Sequence, residues 1–125
     1  MAENEIATII VDASLEVHRE LGPGLLESVY ENCLAFELRQ RGLNVLQQQP
    51  LPVVYKDVRM DMGFRLDLWV ENKVVIEVKS VDALNDVNLA QVLTYLKLTK
   101  NKLGLLFNFN VPLIKHGIKR VVNNL

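Results

Sequence analysis

The stretch "FRLDLWVENKVVIEVK", residues 64–79, carries the side chains best suited to chemistry. Strand alternation sets Arg65, Asp67 and Trp69 on one face and Phe64, Leu66, Leu68 and Val70 on the other. Glu71-Asn72-Lys73 makes a turn, and a second strand sets Val75, Glu77 and Lys79 opposite Val74, Ile76 and Val78. A three-residue loop pairs Val70 with Val74, and the same register puts Asp67 across from Glu77. Paired residues of an antiparallel ladder project to the same side, so two carboxylates and an ammonium converge on one patch of sheet.

Two close carboxylates repel each other unless a cation lies between them, and hard oxygen ligands with room for water suit Mg²⁺ or Mn²⁺. Such an ion lowers the pKa of a bound water and stabilises charge on a phosphoryl oxygen. An amine two residues along the strand can orient or deprotonate that water, or stabilise the charge that develops. Spacing alone discriminates weakly, because a chain of this composition contains about one acid-x-Lys triplet by chance. This one contains two, and Glu71-Asn72-Lys73 reads as a solvated turn. Glu77-Val78-Lys79 taken alone also fits the wet face of a half-exposed strand.

The elements that must position these residues follow from periodicity. Ile6, Ile9, Ile10, Ala13, Val17 and Leu21 recur at helical spacing up to Gly22-Pro23. A second helix is expected from about Leu25 to Arg41, with Val29, Cys33, Leu34 and Leu38 on its apolar side and Gly42 beyond its end. "LNVLQQQPLPVVY" is broken by Pro50 and Pro52, which suits an edge strand or two short extended pieces. After the hairpin, "VNLAQVLTYLKLT" reads as a helix, "KLGLLFNF" as a buried strand and "IKRVV" as a terminal strand or tail. The order α-α-β-β-β-α-β gives an α/β layer fold with a mixed sheet.

The 125 residues, half of them hydrophobic, amount to one domain. No apolar run approaches a bilayer span, and the N-terminus lacks a secretory signal, so a soluble cytoplasmic protein is expected. A single cysteine, Cys33, excludes an internal disulfide and reads as a small buried hydrophobe. The net charge of −1 is unpromising for binding a polyanion, but it is unevenly spread. Residues 1–85 carry a net −6 and residues 86–125 a net +5, through Lys97, Lys100, Lys102, Lys115, Lys119 and Arg120. This suits an acidic pocket beside a basic surface, and equally an ordinary solvated face.

In "GLLESVY", residues 24–30, Glu27 admits a local explanation. With Gly24 as N-cap it falls at the third helical position, where a carboxylate reaches back to the cap and meets the helix dipole favourably. A carboxylate pair facing this helix end would instead make it a further metal ligand.

"RLDLWVENKVVIEVKSV", followed by "AQVLTYLKLTKNKLGLLFNFN", resembles the PD-(D/E)XK nuclease superfamily, and with "GLLESVY" it resembles the small GxxExxY proteins placed within it. The likeness runs from about Ile6 to Val122. It implies a restriction-endonuclease-like core and a Mg²⁺- or Mn²⁺-dependent nuclease acting on DNA or RNA. The alternative is an inactive relative that binds nucleic acid or a protein. By position it implies Asp67, Glu77 and Glu27 as metal ligands, Lys79 as the catalytic lysine, and Gln91 with Tyr95 as a Gln-x-x-x-Tyr element beside the site. Leu66 precedes Asp67, so the Pro-Asp of the superfamily's name is missing, and Asn88 stands where many relatives carry histidine. Arg65, as ion-pair partner or phosphate contact, and His18, at the end of helix one, are further candidates for substrate binding. A chain this small also leaves room for homodimerisation.

Overall fold

Apolar residues at helical spacing wind residues 3–21 and 27–40 into two helices, and a computed structural model of the chain shows how they cover a sheet. It describes the backbone of residues 1–125 and every side chain except those of Asp61 and Met62. The order is α1 (Glu3–Leu21), α2 (Glu27–Gln40), β1 (Val45–Tyr55), β2 (Val58–Val70), β3 (Val74–Lys79), α3 (Asp86–Thr99), β4 (Leu103–Asn108), a 3₁₀ turn (Ile114–Gly117) and β5 (Ile118–Val122). The five strands lie in the order β1-β2-β3-β4-β5. Only β3 and β4 run parallel, because α3 carries the chain between them. The expected α/β layering therefore holds, and "IKRVV" is a strand paired with β4.

On one face of the sheet Ile6, Ile10, Val17, Tyr30, Leu34 and Leu38 of α1 and α2 pack on residues of β2, β3 and β4. On the other, Tyr95 and Leu96 of α3 pack on Val75 and Leu66. At Gly104 the helix approaches so closely that a Cβ would stand 2.6 Å from Val92 Cγ1. Cys33 is half-buried at the margin of the first core rather than fully inside it.

The proline-bearing segment is one continuous edge strand, β1, so neither Pro50 nor Pro52 removes a hydrogen bond from the sheet's interior. Opposite Asp67 it carries an irregularity. Gln48 has φ +49°, and the recorded pairing steps from Gln47–Leu68 to Gln49–Leu66 with no pair at Gln48 and Asp67. The two sides of this break face differently: Leu68 and Val70 point toward α1 and α2, whereas Phe64 and Leu66 join Tyr95 under α3. Simple alternation, which gave all four one face, fails here because a locally broken ladder rotates the strand.

Gly104→Ala is expected to cost about 1–3 kcal/mol by overpacking against Val92, read as a fall of several degrees in Tm. In a Val92→Ala background the same change should cost clearly less.

Candidate functional site

The site lies where β2 and β3 part. Their ladder runs from Val70–Val74 through Trp69–Val75 to Leu68–Ile76, which is the register the turn dictated. One step further, Asp67 Oδ2 accepts the Val78 N–H at 2.8 Å, so a carboxylate takes over where ladder pairing stops. Glu77, on the neighbouring strand, is 6% exposed, and its Oε2 is buried with no hydrogen-bond partner. Lys79 Nζ is 3.7 Å from Glu77 Oε1. Burial pushes the Glu77 carboxyl up from 4.5 to about 8; the charges of Asp67 and Glu27 push the same way and Lys79 opposes them. The expected convergence of Asp67, Glu77 and Lys79 is therefore present.

From the other side α2 presents its first turn. Its N-cap is Leu26, so Glu27 is the first helical residue rather than the third, and it does not reach back to Gly24. Its Oε1 crosses instead to the Ser80 N–H just beyond β3, at 3.3 Å, while the Ser80 hydroxyl donates to the Leu25 carbonyl at 2.7 Å. Tyr30 is a packing residue: its ring stacks on Phe109 with centroids 4.6 Å apart. Its hydroxyl donates to the Gly22 carbonyl (2.5 Å) and accepts from the Leu25 N–H (3.1 Å). Gly24, with φ +95°, turns the loop that this tyrosine clamps.

Glu31 escaped the sequence reading. It lies one turn beyond Glu27 on the same face of α2, buried, and it accepts from Gln48 at 2.6 Å and from Gln47 at 3.2 Å. Burial raises its carboxyl above the usual range and nearby Asp67 adds to this, while the two glutamine bonds pull it down. The available signal was the Glu-x-x-x-Glu spacing at the start of a helix that faces the acidic hairpin.

Tyr95 closes the site from α3. It is buried edge-on against Phe64 at 5.2 Å, and burial, with the charges of Glu77 and Asp67, raises its phenol. Gln91, half-buried one turn earlier, shares its helical face. Asn88 is turned away: its Oδ1 accepts the Asn85 N–H at 3.0 Å and completes the capping box of α3. Arg65 donates to the Gln48 carbonyl at 3.3 Å, and among the described residues it forms no ion pair with Asp67. His18 is a buried structural histidine, its Nε2 2.8 Å from the Val111 carbonyl oxygen and its ring beside Phe109.

Among the described residues, no group of three His, Cys, Asp or Glu side chains is gathered closely enough to hold a metal ion. The donor set nevertheless fits a hard divalent cation. The orphaned Glu77 Oε2 beside Asp67 lacks the positive partner that a metal would supply, and every nearby acceptor is oxygen.

A pH dependence follows from Glu77. The unfolded chain releases this proton above about pH 4.5, whereas the folded chain holds it to about pH 8, so metal-free stability falls across that window and levels off above it. In thermal melts without metal, the wild type should lose more stability than Glu77→Gln between pH 5 and 8.5, by on the order of a few kcal/mol.

Comparison with curated proteins and with solved structures finds no match. The family model for the PD-(D/E)XK nuclease superfamily matches residues 4–121, nearly the whole chain. The layered α/β core, with its acidic hairpin inside the sheet, accordingly belongs to a member of the PD-(D/E)XK nuclease superfamily.

Proposed function

We propose that this chain is a divalent-metal-dependent nuclease of the GxxExxY kind, hydrolysing phosphodiester bonds of DNA or RNA. The observation that carries the reading is the buried Glu77 carboxyl beside Asp67, whose Oε2 has no hydrogen-bond partner and whose Oε1 lies 3.7 Å from the Lys79 ammonium. Asp67 and Glu77 would hold Mg²⁺ or Mn²⁺, with Glu27 completing the set from α2. When bound, the ion supplies Lewis acidity at the phosphoryl oxygen and acidifies a water.

The other roles belong to the chain's own residues. Lys79, on the same strand face as Glu77, is placed to orient the attacking water and to offset the negative charge that develops on the phosphate. Val78 N–H holds Asp67 Oδ2, so this carboxylate enters the reaction in a fixed orientation. Tyr95 stays protonated, because burial and two neighbouring carboxylates disfavour the phenolate, and it therefore serves as a donor. Gln91 offers an amide donor from the same face of α3.

The rival reading is a nuclease-fold protein that binds nucleic acid or a protein without cleaving. It is favoured by Asn88, whose side chain is committed to the α3 cap, and by the net charge of −1. A cleavage assay on single-stranded, double-stranded and branched DNA and on RNA, with Mg²⁺ or Mn²⁺, separates the two. Metal-dependent cleavage that falls at least a hundredfold in Lys79→Ala is the expected result. Cleavage indifferent to that substitution would overturn the role of Lys79, and absence of cleavage on every substrate would favour the rival.

A further inference from the structure

Gln48 belongs to none of the motifs described above, yet it touches two of the site's carboxylates. Its backbone stands at φ +49°, a left-handed conformation that costs a residue with a Cβ on the order of 1 kcal/mol. The conformation takes Gln48 out of the regular pairing with β2, and Arg65 donates to its carbonyl at 3.3 Å. The side-chain Nε2 lies 2.6 Å from Glu31 Oε1 and 3.1 Å from Asp67 Oδ1. A primary amide carries two hydrogens, one for each carboxylate.

The neighbours make this arrangement specific. Gln47 Nε2 holds the second oxygen of Glu31 at 3.2 Å and Asn32 Oδ1 at 2.8 Å, so Glu31 is fixed from both sides. Asp67 Oδ2 is held by Val78 and Oδ1 by Gln48, so both oxygens of Asp67 are oriented by a donor. A neutral amide achieves this without placing a positive charge where a cation must bind; an arginine or lysine at this position would compete with it.

We propose that Gln48 is a positioning residue for Asp67, bridging it to Glu31 so that the Asp67 carboxylate is aimed beside Glu77 for a divalent cation. The inference rests on the metal-binding reading of the site. Glu31 is the anchor of the bridge and not itself a ligand.

The test is Mn²⁺ binding, followed by calorimetry and electron paramagnetic resonance, in the wild type, Gln48→Met and Glu31→Gln. Gln48→Met keeps the side chain's length but has no donor, and it is expected to weaken Mn²⁺ binding about 10- to 100-fold. Glu31→Gln keeps an acceptor for Gln48 and should change the affinity less than threefold. A second readout needs no metal: in Gln48→Met the amide resonance of Val78 should shift, because the carboxylate it donates to is no longer held. Where Gln48→Met does not fold, Gln48→Asn, too short to span both carboxylates, carries the same expectation. Wild-type binding matched by Gln48→Met, with Val78 unmoved, would overturn this inference alone. A loss in Glu31→Gln as large as in Gln48→Met would overturn it by making Glu31 a ligand. A wild type that binds no Mn²⁺ at millimolar concentration would overturn the metal reading and this inference with it.

Discussion

The site depends on one unfavourable interaction, a carboxylate buried at the end of a strand against a second carboxylate. Glu77 is inside the protein because β3 is a central strand whose other members, Val74 to Val78, form core, and its position in the alternation leaves it no exit to water. A core built for stability alone would place an apolar residue there, since an unpartnered buried carboxyl costs free energy and this one is driven up to about 8. The surroundings amplify the conflict rather than relieve it. Asp67 and Glu27 add negative charge, and only Lys79, at 3.7 Å, opposes them. On the metal-binding reading proposed above, a cation would offset the negative charge of Asp67, Glu27 and an ionised Glu77.

The fold makes the conflict possible by ending a ladder early. β2 and β3 pair for three residues and then part, and into the gap come Glu27 from α2, Tyr95 from α3 and Gln48 from the edge strand. Groups from both helical layers thus meet at one edge, although α1 and α2 lie on the opposite face of the sheet from α3. One strained residue lies at the same point. Gln48 is in a left-handed conformation next to the position where β2 turns its apolar residues from one face to the other. The GxxExxY loop serves the arrangement as a brace: Tyr30 clamps it from inside, and Ser80 ties its far end to the end of β3.

Much of this was legible in the sequence, for identifiable physical reasons. The Glu71–Lys73 turn fixes the hairpin register, and register with alternation is enough to bring Asp67, Glu77 and Lys79 together. His18, expected as a candidate for substrate binding, instead lies against the Val111 carbonyl and Phe109. The features that stayed hidden are those that local pattern does not encode. The turnover of β2 lies opposite a left-handed residue in a different strand, which alternation does not announce. Gln48 meets Glu31 and Asp67 across separations of 17 and 19 residues, without any periodic signal. Glu27 is the first helical residue rather than the third, because the cap is Leu26 and not Gly24, and its carboxylate meets Ser80 instead of the cap.

On the proposed reading, Glu77 keeps its proton at neutral pH and gives it up when a divalent cation binds. The most direct measurement is the number of protons released when Mn²⁺ binds, obtained by titration calorimetry at pH 7 in buffers of different ionisation enthalpy and repeated at pH 9. Because Glu77 holds its proton to about pH 8, binding at pH 7 should release close to one proton, and at pH 9 far less. Binding with no proton release at either pH, or no binding at all, would contradict the account.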